Sequence, residues 1–166
     1  MSQVEHDQAG HSVAAQSPRP IDLAGLPGHV GRHLGYSRWH EVTQDQVNRF
    51  ADATGDHQWI HVDPRRAAEG PFGRTIAHGY LTLSLGPALL EEILLFTDAP
   101  LVVNYGLDRV RFPAPLPVGE RLRLGVECAA AEAFEGGVQV TLRLTFEVEN
   151  QVKPACVADV VFRYYG

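Results

Sequence analysis

An α+β fold, with a curved antiparallel sheet wrapped around one long apolar helix, is the class this sequence predicts. Three observations predict it. Helical spacing with recognisable caps occupies the region before Pro100, strict apolar–polar alternation occupies the region after it, and the run Leu81 to Leu95 is apolar around most of a helical circumference. A helix of that last kind belongs inside a fold, and a one-faced sheet supplies its cover.

Met1 to Pro20 mixes Gln, Ser, Gly, His and Pro without an apolar block, so residues 1–20 are expected to form a flexible tail and residues 21–166 one domain. Tyr36 to Val42 is a short strand candidate. Thr43-Gln-Asp-Gln46 matches a capping box, Val47, Phe50, Ala51 and Thr54 follow at helical spacing, and Gly55 stands where a left-handed residue ends a helix. Asp63-Pro64 pairs an N-cap with a proline at the first helical position, so a second helix is expected through Glu69, with His61 held between the two. After a loop from Gly70 to His78, Gly79 opens the long helix Tyr80 to Phe96, and Pro87 is expected to bend it near Gly86.

Val102 to Phe112 is the strand that enters the sheet. Leu122, Leu124, Val126 and Cys128 alternate with polar partners, as do Val138, Val140, Leu142, Leu144, Phe146 and Val148. Glu135-Gly-Gly137 supplies the turn that joins them as a hairpin. Asn150 to Pro154 turns the chain into the last strand, Cys156, Ala158, Val160, Phe162 and Tyr164. Cys128 and Cys156 fall in phase with apolar neighbours, so they are expected as buried thiols rather than a disulfide or a thiolate metal site.

Composition excludes several function classes. With 14 Lys+Arg against 20 Asp+Glu the net charge is -6, which leaves no overall basic field for nucleic acid. Arg65, Arg66 and Arg74 form a local basic patch that reads either as solvated surface or as a contact for a phosphorylated small molecule. Pro87 and Glu91-Glu92 interrupt the longest apolar run, so a membrane span is not expected and a soluble, cytoplasmic protein is.

The chemistry-bearing stretch is Ala53 to His61, because Asp56 and His61 stand five residues apart just past a helix end. If the segment turns back, both side chains can bond one water about 3 Å from each, and a carboxylate beside an imidazole can take a proton and return it. The bland alternative is an Asx-turn from Asp56 to Gln58 and a packing role for His61. His57 and His61 are four apart, but a helix beginning only after His61 would not align them for a metal, so none is expected.

Extended in order along the chain, Thr54-Gly55-Asp56, Ile60-His61-Val62-Asp63-Pro64, Phe72, Ile76-Ala77-His78-Gly79-Tyr80-Leu81 and Arg111-Phe112-Pro113-Ala114-Pro115 through Gly119 give a composite pattern. In this pattern the chain resembles the MaoC-like dehydratases and (R)-specific enoyl-CoA hydratases, which share the hot-dog fold. The variant Gly-Asp-His-Gln-Trp-Ile-His, with Asn104-Tyr105-Gly106 later, resembles a branch that includes nodulation-protein-N-like members. Gln58-Trp59 replaces the commoner Asn-Pro. Gln58 retains an amide for positioning, whereas Trp59 either lines an acyl pocket or staples the loop to the core.

The resemblance implies a dimer with sheets joined edge to edge and an active site at the subunit interface. It implies that Asp56 and His61 activate water for addition to a trans-2-enoyl thioester, yielding the (R)-3-hydroxyacyl product, and that the Gly79 N–H holds the thioester oxygen. Helix-start geometry supports the last role independently, since first-turn N–H groups are unpaired where enolate charge develops; close packing is the other reading of that glycine. Gln58, His78, Asn104 and Arg111 are the expected supporting or substrate-binding residues, Asn104 reading equally well as a bulge. Phosphates of CoA or of a carrier protein would meet Arg111, Arg65 or Arg74. No cofactor is expected, because hydration moves only protons and water. The rival readings are a hot-dog thioesterase, which would release free thiol, and a non-catalytic acyl-binding subunit.

Overall fold

The computed structural model of the chain describes residues 17–166. Most of the expected tail, residues 1–16, therefore lies outside the described residues. In chain order the elements are β1 (Arg19–Ile21), a 3-10 turn (Leu26–His29), β2 (His33–Tyr36), β3 (His40–Glu41), α1 (Gln44–Thr54), α2 (Trp59–Val62) and α3 (Pro64–Ala68). There follow α4 (Gly79–Ser84), α5 (Gly86–Leu90), β4 (Leu94–Phe96), β5 (Leu101–Arg111), β6 (Arg121–Phe134), β7 (Gly137–Val148) and β8 (Cys156–Tyr165).

The local signals for α1 hold. Thr43 Oγ1 accepts from the Gln46 backbone N–H, and Gly55 ends the helix at φ 78° with its N–H bonded to the Ala51 carbonyl. Asp63 caps α3 by accepting from the Arg66 N–H. The hairpin also forms as expected: β6 and β7 pair antiparallel from Leu122–Val148 down to Phe134–Gly137, closing on Gly136 at φ 90°. A left-handed turn residue is needed there, which is why glycine occupies it.

The main sheet runs β2-β6-β7-β8-β5, antiparallel throughout, with β3 also pairing β6. Along β7 every second residue, Val138 to Val148, is buried. These side chains meet Leu81, Leu89 and Leu90 of the short helices and Leu124, Val126 and Phe162 of neighbouring strands in one apolar core. Cys128 and Cys156 are buried free thiols within it, and burial pushes the Cys156 thiol up to about 12.

Three expectations change. The long helix from Tyr80 to Phe96 is two short helices, α4 and α5, and it ends at Leu90. Pro87 at the start of α5 begins a new helix instead of bending an old one, because it cannot donate to the preceding turn. Gly86 fits the break, since a Cβ there would lie 3.2 Å from Leu144 Cδ1 and 3.4 Å from Phe146 Cζ. Leu94 to Phe96 is extended and pairs in parallel with β1, so Arg19 and Pro20, expected in the tail, are part of a strand. The strand expected over Tyr36 to Val42 is split between β2 and β3. No helix among the described residues is long and apolar enough to cross a membrane.

Candidate active site

α1 ends at Gly55, and the chain turns so that Asp56 Oδ1 accepts from the Gln58 N–H at 3.3 Å, an Asx-turn. That turn delivers His61 into α2 rather than between two helices, as the spacing had suggested. A strip of extended chain, Thr75 to His78, then runs alongside. Its backbone is held on both sides: the Ile76 N–H donates to Ile60 O at 3.0 Å, the Ala77 N–H to Leu116 O at 2.8 Å, and Thr75 O accepts from the Val118 N–H at 2.9 Å. This strip carries both groups that define the state of His61.

His61 Nδ1 lies 2.7 Å from the Ile76 carbonyl. A carbonyl only accepts, so Nδ1 carries the proton and Nε2 is left with an open lone pair. Burial holds the His61 pKa below its ordinary value of 6.5, assisted by the neighbouring His78 and opposed by the Ile76 bond and Asp56. The buried ring, 7% exposed, is therefore poised as a neutral base. His78, 3% exposed, stacks on it with ring centroids 3.8 Å apart and 26° between planes. Its Nε2 is 2.9 Å from the Asp56 carbonyl and 3.9 Å from Asp56 Oδ2.

Asp56 is half exposed and stands on the solvent side of the two rings. One carboxylate or ring atom from each of Asp56, His61 and His78 lies within 4.8 Å of the other two. A separation of that size suits one water placed about 2.8 Å from both acceptors. Asp56, His61 and His78 are also the residues that could hold a metal ion, in place of the His57 set considered from spacing. Their rings are stacked side by side and His61 Nδ1 is taken by Ile76, so a metal would require the rings to turn. His57 instead faces Asp52 at 3.8 Å.

His61 lines a cleft of about 290 Å³ whose walls include Phe72, Gly79, Thr82, Phe112 and Pro115. Gly79 begins α4, and His78 provides no side-chain cap for it, so the first N–H groups of that helix have no helical acceptor. The glycine is also a close-packing one. A Cβ at Gly79 would sit 3.1 Å from the Phe112 ring, which is the close-packing reading of this residue.

The supporting residues divide. Gln58 is brought beside Asp56 through its backbone N–H, and His78 contacts both Asp56 and His61. Asn104 lies elsewhere: it sits at a register shift of β5 and lines two grooves with Pro87 and Phe162, not the His61 cleft. Thr82 faces the cleft whereas Leu83 and Ser84 face one of those grooves, so α4 separates the two spaces. Arg111 Nη1 donates to the Val110 carbonyl. Arg74 is engaged by Glu120 at 2.8 Å and by Val118 O, and Arg66 stacks 4.5 Å over Trp59, which leaves Arg65 and Arg111 as the cations of the expected phosphate group not spent on an acidic or aromatic partner among the described residues. Trp59 packs against Gly70 as well, so it staples the loop and does not line the cleft.

Gln44 was not singled out in the sequence, yet it ties the site together. Its Nε2 donates to the His61 carbonyl at 2.7 Å, and its Oε1 accepts from Thr75 Oγ1 at 2.6 Å. Only the position of Gln44 as the first residue of a helix hinted at a special role, and its partners lie 17 and 31 residues away.

The low basicity of His61 has a measurable consequence. A base works only when unprotonated, so the acid limb of kcat/KM is expected below pH 6.5, with activity full above it and lost as pH falls through the folded-state value. The same proton linkage makes stability fall as pH drops below 6.5, because the unfolded chain takes up a proton there before the folded one does. An acid limb centred above pH 6.5 would contradict the buried neutral imidazole.

A protein-family model described as a MaoC like domain matches residues 26–150. The 3-hydroxyacyl-thioester dehydratase Z of Mycobacterium tuberculosis is 52% identical over 143 residues, covering 86% of this chain and 95% of that protein. Nodulation protein N of Rhizobium leguminosarum bv. viciae is 45% identical over 143 residues, covering 84% of this chain and 88% of that protein. Among solved structures, an (R)-hydratase from A. caviae superimposes with a TM-score of 0.63 at 26% identity, covering 80% of this chain and 94% of that one.

Proposed function

The chain belongs to the MaoC-like domain family with a hot-dog fold, and from that premise we propose that it is a hydro-lyase acting on acyl thioesters. It adds water to a trans-2-enoyl thioester to give the (R)-3-hydroxyacyl thioester, and it catalyses the reverse dehydration. The observation that carries this reading is the hydrogen bond from His61 Nδ1 to the Ile76 carbonyl, which leaves Nε2 as an acceptor on a ring that has one nitrogen within 4.8 Å of polar atoms of Asp56 and His78.

A water held by the Asp56 carboxylate and His61 Nε2 gives up a proton to this pair as its oxygen bonds to the β-carbon. The alkene electrons move toward the carbonyl, and the enolate oxygen is met by the Gly79 N–H at the start of α4. The pair then delivers a proton to the α-carbon. Bonds and charges balance with no electron acceptor, so the reaction calls for neither a metal nor a redox cofactor. CoA or carrier-bound pantetheine is the thioester group, with Arg65 and Arg111 as the cations proposed to meet its phosphates.

The deciding experiment is an assay with enoyl-thioester substrates of increasing chain length. Loss of the conjugated enoyl absorbance without thiol release, with (R)-3-hydroxyacyl product by chiral analysis, is expected. Release of free thiol would replace this reading with a thioesterase, and no signal with any chain length would leave an acyl-binding role.

The protein is also proposed to work as a homodimer. β5 is an edge strand of the main sheet, and Leu101, Val103, Tyr105 and Leu107 along it are 38–56% exposed. An unpaired apolar edge of this kind favours association with a like surface. Light scattering of the full chain is expected to give twice the 18.2 kDa chain mass; a monomer at micromolar concentration would overturn the assignment.

A further inference from the structure

We propose that His78 is the positioning residue of this site, a single side chain that clamps the Asp56 main chain through Nε2–H and fixes the His61 ring by stacking on its face. The inference rests on the hydro-lyase reading for its catalytic consequence, though its structural content stands apart from it.

The tautomer follows from the neighbours. His78 Nε2 is 2.9 Å from the Asp56 carbonyl, which can only accept, so the proton resides on Nε2. Nδ1 is then a lone pair, buried and without a hydrogen-bond partner among the described residues. A buried acceptor left unpaired costs free energy, and a side chain that did nothing but fill space would not retain one. What offsets it is the geometry on the other atoms. One ring face meets His61 at 3.8 Å, Phe50 of α1 lies against the ring at 5.0 Å, and Nε2 reaches the loop that presents the carboxylate.

His78 thus contacts both halves of the Asp56–His61 pair. The two halves are otherwise anchored separately: His61 to Ile76 and Gln44, Asp56 to the Gln58 N–H of its own turn. Sequence separation between Asp56 and His78 is 22 residues, so this clamp ties the loop after α1 to the strip before α4. A reacting pair must keep its separation to within a fraction of an ångström, since a misplacement of about 1 Å can cost roughly a hundredfold in rate.

The stack also shapes the proton affinity of the base. Among the described residues, the ionisable groups that face His61 are Asp56 and His78, and the cleft wall of Phe72, Ile76, Ala77, Thr82 and Phe112 contributes none. His78 covers one face of the ring and so adds to the burial that holds its proton affinity down.

Two variants separate the two functions. His78→Phe keeps an aromatic ring against His61 and removes the donor to Asp56; kcat is expected to fall about tenfold or more while KM changes by less than about twofold. His78→Gln keeps an N–H at similar reach and removes the ring; the acid limb of kcat/KM, and the His61 titration followed by 15N-histidine NMR, are expected to move up toward the ordinary imidazole value of 6.5. A residue that merely filled the core would lower stability and move neither. In the wild-type protein, the same spectra are expected to show His78 as the Nε2–H form and His61 as the Nδ1–H form. That measurement needs no variant to fold and no substrate to turn over. An Nδ1–H form of His78, or variants with wild-type kcat and an unmoved His61 titration, would overturn the proposal; absence of hydratase activity with the two tautomers as stated would overturn only the catalytic reading.

Discussion

Replacing His61 with asparagine is expected to lower kcat by roughly 10²–10⁴-fold, the range that general acid–base groups supply. Asparagine is the informative substitution because its side-chain N–H2 can still donate to the Ile76 carbonyl, which His61 Nδ1 contacts at 2.7 Å. The buried carbonyl stays paired while the basic lone pair of Nε2 disappears. Alanine would remove both, adding about 1–3 kcal/mol of destabilisation from the unpaired carbonyl and confusing chemistry with folding. Asp56→Asn should cost a comparable factor, since Oδ1 can go on accepting from the Gln58 N–H while the negative charge is lost. The two losses should not multiply, because the residues act on one water and removing either disables the pair. Steady-state rates of the single and double variants, with circular dichroism to show a retained fold, test this. A His61→Asn protein with near-normal kcat would end the assignment of this ring as the base.

The largest effect on stability is expected at Phe146. It is fully buried on β7, paired with Leu124 of β6 and Cys156 of β8, and its Cζ is 3.4 Å from the position of a Cβ on Gly86. Its ring therefore packs beneath the junction of α4 and α5 as well as within the sheet. Phe146→Ala should cost about 3–5 kcal/mol from lost burial and the cavity left behind. For a chain of this size that corresponds to a fall in Tm of roughly 6–20 °C. The loss should leave the tautomers of His61 and His78 unchanged, since the strip from Thr75 to His78 is held by Ile60, Leu116 and Val118. Denaturant unfolding that gave less than about 1 kcal/mol would mean that the helices collapse into the space and that the sheet does not set their position.

Much of the fold could be read along the chain. Thr43 and Gly55 bracket α1, Asp63-Pro64 starts α3, Gly136 turns the β6–β7 hairpin, and the alternation of β7 matches its burial residue by residue. These features depend on neighbours within a few positions, so local chemistry is enough to state them. The long helix was misread for a related reason. Tyr80 to Phe96 is apolar on nearly every side, and such a run does not distinguish a helix from two helical turns followed by a buried strand. The choice was made by distant partners: β1, some 75 residues earlier, pairs with Leu94 to Phe96, and Leu144 and Phe146 hold Gly86 close.

The candidate site divides along the same line. Asp56, His61 and Gly79 were legible because their spacing after a capped helix and before an apolar one restricts where they can stand. The role of His78 was legible only as part of a motif, and Gln44 not at all, since each acts through hydrogen bonds to backbone 17 to 22 residues away. Asn104 reads as a substrate contact or a bulge in the sequence, and in the structure it stands at a register shift and lines a groove separate from the His61 cleft.

By itself, then, the amino-acid order determined most of the element types, the turns, the apolar faces and a candidate pair of proton-moving groups, because helical and strand periods and capping are short-range physics. Tertiary structure alone decided which ring nitrogen is free, where the apolar run breaks, and which second imidazole lies on the first. Those outcomes depend on a carbonyl, a ring face and a core side chain arriving from far along the chain, and only the closed sheet brings them within hydrogen-bonding and van der Waals range.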